Sequence, residues 1–184
     1  MSLFHCRNSP ISRLRVGLIQ ALALLPTITP VQFSDLIAPL IGLPVGHIWR
    51  GHGSAIFLEL GALSRSEGNN PTGQATLMIE WSWRVEASRS VSFGSFSSSR
   101  KIDSGLSNLV GRRIESIELF GRLPEVALRL SGGRWVSSFA TAEGQPEWGL
   151  LLGQRGTISV ERGAVVHAVS ANNSFNPMPL RGTG

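Results

Sequence analysis

Tyrosine is absent from the 184 residues, cysteine occurs once, at Cys6, and lysine once, at Lys101. A single thiol builds no disulfide framework, cysteine-based zinc site or iron–sulfur cluster within one chain. Charged residues make up 16% and hydrophobic ones 42%, too apolar a balance for intrinsic disorder. The apolar run Val16 to Leu25 is too short to span a bilayer as a helix, so no membrane span is expected. Motifs for chemistry are missing as well. No GxxxxGK[ST] and no GxGxxG opening a helix is present, which removes the usual phosphate cradles. No G-x-S-x-G elbow presents a serine nucleophile, and Cys6 has only His5 beside it. His5, His47, His52 and His167 show no HxxxH or HxH spacing. A metal site is therefore not expected, and neither is a cofactor.

What is present is an excess of arginine. Of 17 basic residues all but Lys101 are arginine; against 12 acids they leave a net charge of +5 and a pI near 11.2. Residues 1–40 carry Arg7, Arg13 and Arg15 against Asp35, and the tail carries Arg181. The intervening region interleaves its charges: Glu59 with Arg65, Arg84 with Glu86, Arg129 with Glu125, Glu161 with Arg162. A phosphate-binding face needs several uncompensated cations, one for each phosphate neutralised. The one local cluster, Arg112, Arg113 and Arg122, is diluted by Glu115 and Glu118. Weak nucleic-acid binding through those arginines is an alternative that the charge distribution disfavours.

Both ends of the chain differ from its middle. Three arginines ahead of an apolar run give residues 1–33 the outline of a signal peptide. Gln20 interrupts the run, however, and Thr27-Ile28-Thr29-Pro30 offers no small-x-small cleavage site. The expectation is an N-terminal extension, disordered or helical, or sequence upstream of the true start. A cytoplasmic location is expected, with export the minority reading. Residues 170–184, rich in Asn, Pro and Gly, are expected to be a disordered tail.

Residues 34–169 read as one domain that repeats itself, in halves of about 34–100 and 101–169. SDLIAPLIGLPV (34–45) aligns with DSGLSNLVGRRI (103–114), pairing Leu40 with Leu109, Gly42 with Gly111 and Val45 with Ile114. Ile56 to Leu60 then aligns with Val126 to Leu130, and Glu80-Trp81 with Glu147-Trp148. In each copy a short helix is expected to start at Ser34 or Asp35, or at Asp103 or Ser104. Gly42 and Gly111 stand where a left-handed helix-ending residue belongs. Alternating strands follow. Val45, His47 and Trp49 are expected on one face, and Ile114, Ser116 and Glu118 on the matching one. Ala75 to Glu86 reads as the longest strand, with Leu77, Ile79, Trp81, Trp83 and Val85 on one side. Gly51-His52-Gly53, Ser131-Gly132-Gly133, Gly153 to Gly156 and Arg162-Gly163 read as hairpin turns. The class is α+β, mainly antiparallel β, with nine or ten strands and two short helices.

Candidate residues follow from this layout. Trp81 and Trp148, at matching places, are expected in the core, and Trp49, ahead of Arg50 and the turn, is the tryptophan expected at the surface. Trp49 and His52 are therefore the candidate binding residues. Glu80 and Glu147 are the alternative catalytic pair, for a hydrolase or lyase working between the halves. Paired-carboxylate chemistry needs a separation of roughly 5–9.5 Å.

GHGSAIFLELG (51–61) followed by ATLMIEWSWRVE (75–86) resembles a group of small bacterial proteins without an assigned activity. They share a leading LIxPLIGLPV-like segment, a GHGS turn and a tryptophan-rich strand. The resemblance covers roughly residues 34–90 and implies no site residues. Size and strand-rich build are similar in style to immunity proteins of bacterial toxin systems. With no nucleophile, metal set or phosphate loop in the sequence, the expected function is a non-enzymatic binding protein, immunity-like or a structural adaptor, with another protein as the expected partner.

Overall fold

Thr29, Pro30 and Gln32 start the first helix, α1 (Pro30–Ile37), in a computed structural model that describes residues 25–64, 70–141, 143–144 and 146–169. The Thr29 hydroxyl accepts from the Gln32 amide at 3.2 Å, and the Gln32 side chain accepts from the Thr29 amide at 2.8 Å. This reciprocal cap, with proline at the first helical position, starts the helix earlier than the expected Ser34 or Asp35. Phe33 and Ile37, four residues apart, form the buried stripe, so a residue from the expected extension belongs to the core. The second helix, α2 (Ser99–Ser107), also starts early, after Ser98, and buries Ile102 and Leu106. Asp103, expected as its cap, pairs with Arg50 instead at 3.0 Å. Cys6, His5, Arg7, Arg13, Arg15, Arg65, Arg181 and the tail 170–184 lie outside the described residues.

Gly42 and Gly111 take the expected left-handed conformation, with φ of +86° and +84°. Each turns the chain out of its helical segment, and the two turns bond to each other. The Gly42 amide donates to the Ile114 carbonyl and the Gly111 amide to the Val45 carbonyl, both at 2.8 Å. The Val45 amide donates to Arg112 and the Ile114 amide to Leu43, at 2.8 and 2.9 Å. From this cross the strands β1 (Val45–Arg50) and β6 (Ile114–Phe120) run into different sheets. Each has a bulge after its first residue, between Val45 and His47 and between Ile114 and Ser116. An extra residue shifts the alternation by one. Val45 and Ile48 therefore pack on the core, as do Ile114, Ile117 and Leu119, while His47 and Trp49 pair with Glu59 and Phe57 on the outer face of their sheet. The expected faces, Val45 with Trp49 and Ile114 with Glu118, are corrected accordingly.

Two antiparallel sheets enclose the core. One has the order β1-β2-β3-β9-β10-β11, built from β1, β2 (Ile56–Leu60), β3 (Ala75–Ile79), β9 (Trp148–Leu151), β10 (Thr157–Glu161) and β11 (Ala164–Ala168). The other has the order β5-β4-β8-β7-β6, adding β4 (Trp83–Ala87), β5 (Ser90–Gly94), β7 (Glu125–Leu130) and β8 (Arg134–Ser138). The class is thus mainly antiparallel β with two short helices. Inner side chains of both sheets and of both helices share one apolar cluster. The expected long strand 75–86 is in fact two strands in different sheets, joined by residues 80–82. Its alternation never lapses because Leu77, Ile79, Trp83 and Val85 all point into the same core. Trp81, at the corner, is the exception and lies 66% exposed, against the expectation of a core residue. The order β1-β2-β3-β9-β10 in one sheet has its counterpart, β6-β7-β8-β4-β5, in the other.

A Cβ added at Gly42 or Gly111 meets no atom within 4 Å, so alanine there costs only the left-handed backbone. Gly42→Ala and Gly111→Ala should each lower stability by about 1–2 kcal/mol in urea unfolding. A neutral result at either position contradicts the matched roles of the two glycines.

Candidate functional site

The candidate binding residues occupy the far side of the six-stranded sheet. Trp49 stacks on Phe57 with ring centroids 3.8 Å apart, and its indole N–H donates to Glu59 at 2.9 Å. Glu59, only 3% exposed, also accepts from the Gly73 amide at 2.8 Å and the Thr76 hydroxyl at 2.7 Å. Trp49 is half-buried and covers a buried carboxylate that its neighbours satisfy. His52 is exposed in the β1–β2 turn, where its carbonyl accepts from Ala55 at 3.3 Å. Among the described residues no three His, Cys, Asp or Glu side chains group as a metal site would require.

The arginine cluster is turned inward on the protein's own carbonyls. Arg112 donates to the carbonyls of Asn108 and Ser131 at 2.9 and 2.8 Å. Arg113 reaches Gly42 at 2.8 Å, and Arg155 reaches Leu36 at 2.9 Å. Arg84 pairs with Glu86 at 2.6 Å, and Arg129 with Glu115, not Glu125, at 2.8 Å. Of the three clustered arginines, Arg113 and Arg122 are exposed, the latter in the β6–β7 turn.

Glu80 and Glu147 meet where the chain changes sheets. The Glu80 amide donates to the Glu147 carbonyl, and the Phe139 amide to the Ser82 carbonyl, both at 3.0 Å. Both carboxylates are exposed. The two crossovers differ in length: residues 80–82 suffice between β3 and β4, whereas 139–147 are used between β8 and β9. The longer one forms the wall of a cleft of about 460 Å³, lined among others by Trp81, Phe96, Phe139, Glu125, Glu143 and Glu147. Glu147 lines it and Glu80 does not.

Buried polar contacts hold this cleft in shape. Glu125 is 8% exposed; it accepts from the Ser138 hydroxyl at 2.5 Å and the Ala140 amide at 2.6 Å. Ser138 accepts in turn from the Val126 amide at 3.0 Å. The start of the long crossover is thereby pinned to β7. Ser82 and Thr141 share a hydroxyl hydrogen bond of 2.6 Å between the crossovers, and the Ser54 hydroxyl donates to the Trp81 carbonyl at 2.7 Å. Below the rim, the Trp83 indole donates to the Ser54 carbonyl at 2.6 Å, and the Trp148 indole to the Pro124 carbonyl at 2.8 Å. Trp83 and Trp148 thus make contacts of the same kind, which the exposed Trp81 does not. Each opens a strand after a crossover, and each ties down the loop before β2 or β7.

Among the described residues the cleft lining has three glutamates and no lysine or arginine, in a chain with a net charge of +5. Two aromatic rings stand exposed at it, Trp81 at 66% and Phe96 at 83%. Phe96, Glu125 and Glu143 have no counterpart among the sequence candidates. Phe96 had a readable signal, a large apolar residue alone in the polar run Ser95 to Ser99. No family model, curated protein or solved structure matches the chain.

Trp81 and Trp83, two residues apart, should separate cleanly in stability. Trp83→Ala is expected to cost about 3–5 kcal/mol, as large core truncations do. Trp81→Ala should stay within about 0.5 kcal/mol of the parent in the same unfolding experiment. Equal losses would return Trp81 to the core.

Proposed function

We propose that this is a non-enzymatic, immunity-like interaction protein, set in the bacterial cytoplasm, that receives a protein partner at the crossover cleft. The observation that carries this reading is the exposure of Trp81 and Phe96 on one cleft. Large aromatics left in water beside a concave surface are the residues that dominate binding energy once covered. The contrast with Trp83 and Trp148, both buried and hydrogen-bonded, makes Trp81 the tryptophan left for a partner. No helix among the described residues is long and apolar enough to cross a membrane.

The same proposal includes a tandem duplication of an α-βββ-ββ unit. Its support is the reciprocal bonding of the two glycine turns, the two bulges in register, the matching strand orders and the matched indole contacts of Trp83 and Trp148. The cleft lies where the copies diverge most, at crossovers of unequal length. The alternative, a hydrolase or lyase using Glu80 and Glu147, draws on their juxtaposition. Both carboxylates face solvent, without the enclosed and unequal surroundings by which such enzymes assign acid and base.

Photo-crosslinking tests the interaction reading. A benzoylphenylalanine in place of Phe96 or Trp81, irradiated in the producing cells, should give one discrete protein adduct. The same residue in place of Val31, 70% exposed on α1, should not. Identical adduct patterns from all three positions, or none from the cleft, would sink the proposal.

A further inference from the structure

We infer that the cleft seats a cationic side chain from a basic segment of its protein partner, a step that rests on the interaction reading above. Four observations converge on a cation. Among the described residues the lining contributes Glu125, Glu143 and Glu147 and no basic side chain, although basic residues outnumber acids over the whole chain. Glu143 and Glu147 are exposed and make no side-chain hydrogen bond or ion pair among the described residues. Glu125 spends one bond on each oxygen, to Ser138 and Ala140; an ionised carboxylate accepts about four in all. Trp81, Phe96 and Phe139 supply aromatic surface, and cations are drawn to such faces, with tryptophan the strongest.

The protein already shows this chemistry on itself. The Arg84 guanidinium lies 5.2 Å from the centroid of the Phe139 ring while bonded to Glu86 at 2.6 Å. A cation between an aromatic face and a carboxylate is thus accommodated at the edge of the cleft. Arg84 is committed to Glu86, which leaves the remaining rings and carboxylates to an incoming group. A volume of about 460 Å³ exceeds one side chain, so neighbouring residues of the segment would lie over Trp81 and Phe96. An anionic or strongly acidic partner would meet three like charges and be rejected.

The test uses the full chain and a capped glycine–arginine repeat peptide, followed by the indole NMR signal of Trp81. The arginine peptide should shift that signal saturably, and about 0.5 M sodium chloride should weaken the effect. The same peptide with citrulline, equal in shape but uncharged, should bind at least about tenfold more weakly. Glu143→Gln with Glu147→Gln, both at exposed positions, should weaken the arginine peptide by a similar factor. Equal affinity for the citrulline peptide overturns the cationic assignment, as does indifference to the double substitution or no shift with either peptide. A crosslink at Phe96 combined with any of those failures removes the cation and leaves the interaction reading intact.

Discussion

Four backbone hydrogen bonds between residues 42–45 and 111–114 hold the two points at which the chain leaves a helix and enters a sheet. Everything downstream takes its position from them. They bring Val45 and Ile114, both virtually inaccessible to solvent, to the same place in the core and send β1 and β6 away into opposite sheets. Gly42 and Gly111, five and four residues past the ends of α1 and α2, take positive φ as each turns its amide toward a carbonyl of the opposite turn. Arg112 and Arg113 support the junction by bonding the carbonyls of Asn108, Ser131 and Gly42. Part of the arginine excess therefore has a structural use that owes nothing to a charged ligand.

Much of this was legible in the residues. The glycine turns, the four hairpin turns, most strand bounds and the antiparallel class follow from local rules: glycine tolerance of positive φ, alternation, and turn composition. The misplaced features share a cause. A bulge adds one residue without leaving a mark in the pattern, so Gly46 and Glu115 inverted the predicted faces of two strands. A strand that crosses between sheets while still facing one core keeps its alternation. Ala75 to Glu86 therefore gave no sign of the corner at Trp81. Helix starts were displaced because serine and aspartate can cap a helix or lie within it, and the Phe33–Ile37 and Ile102–Leu106 spacings decide between the two.

The site was less legible than the fold. Glu147 was singled out and lines the cleft; Glu80 adjoins it through the backbone. Trp49 and His52, chosen because they stand beside a turn, lie away from the lining, and Trp49 is committed to Phe57 and Glu59. Glu125 carries no local mark of a buried carboxylate, because its partners, Ser138 and Ala140, are a strand away in sequence. Cleft formation depends on the unequal lengths of two crossovers, and a length acquires meaning only once both ends are known to sit side by side.

The pairing of strands far apart in sequence also constrains how the chain folds. Ile79 pairs with Trp148 and Val85 with Val136, so neither sheet is complete until most of the second half has been made. During synthesis β1, β2 and β3 emerge as a meander with one flank unsatisfied and an apolar face uncovered. Non-local pairing of this kind is slow, because the loop must close before any contact rewards it. The nascent first half is therefore the most exposed state the molecule passes through, and its edge at β3 is the strand most open to pairing with a neighbouring chain.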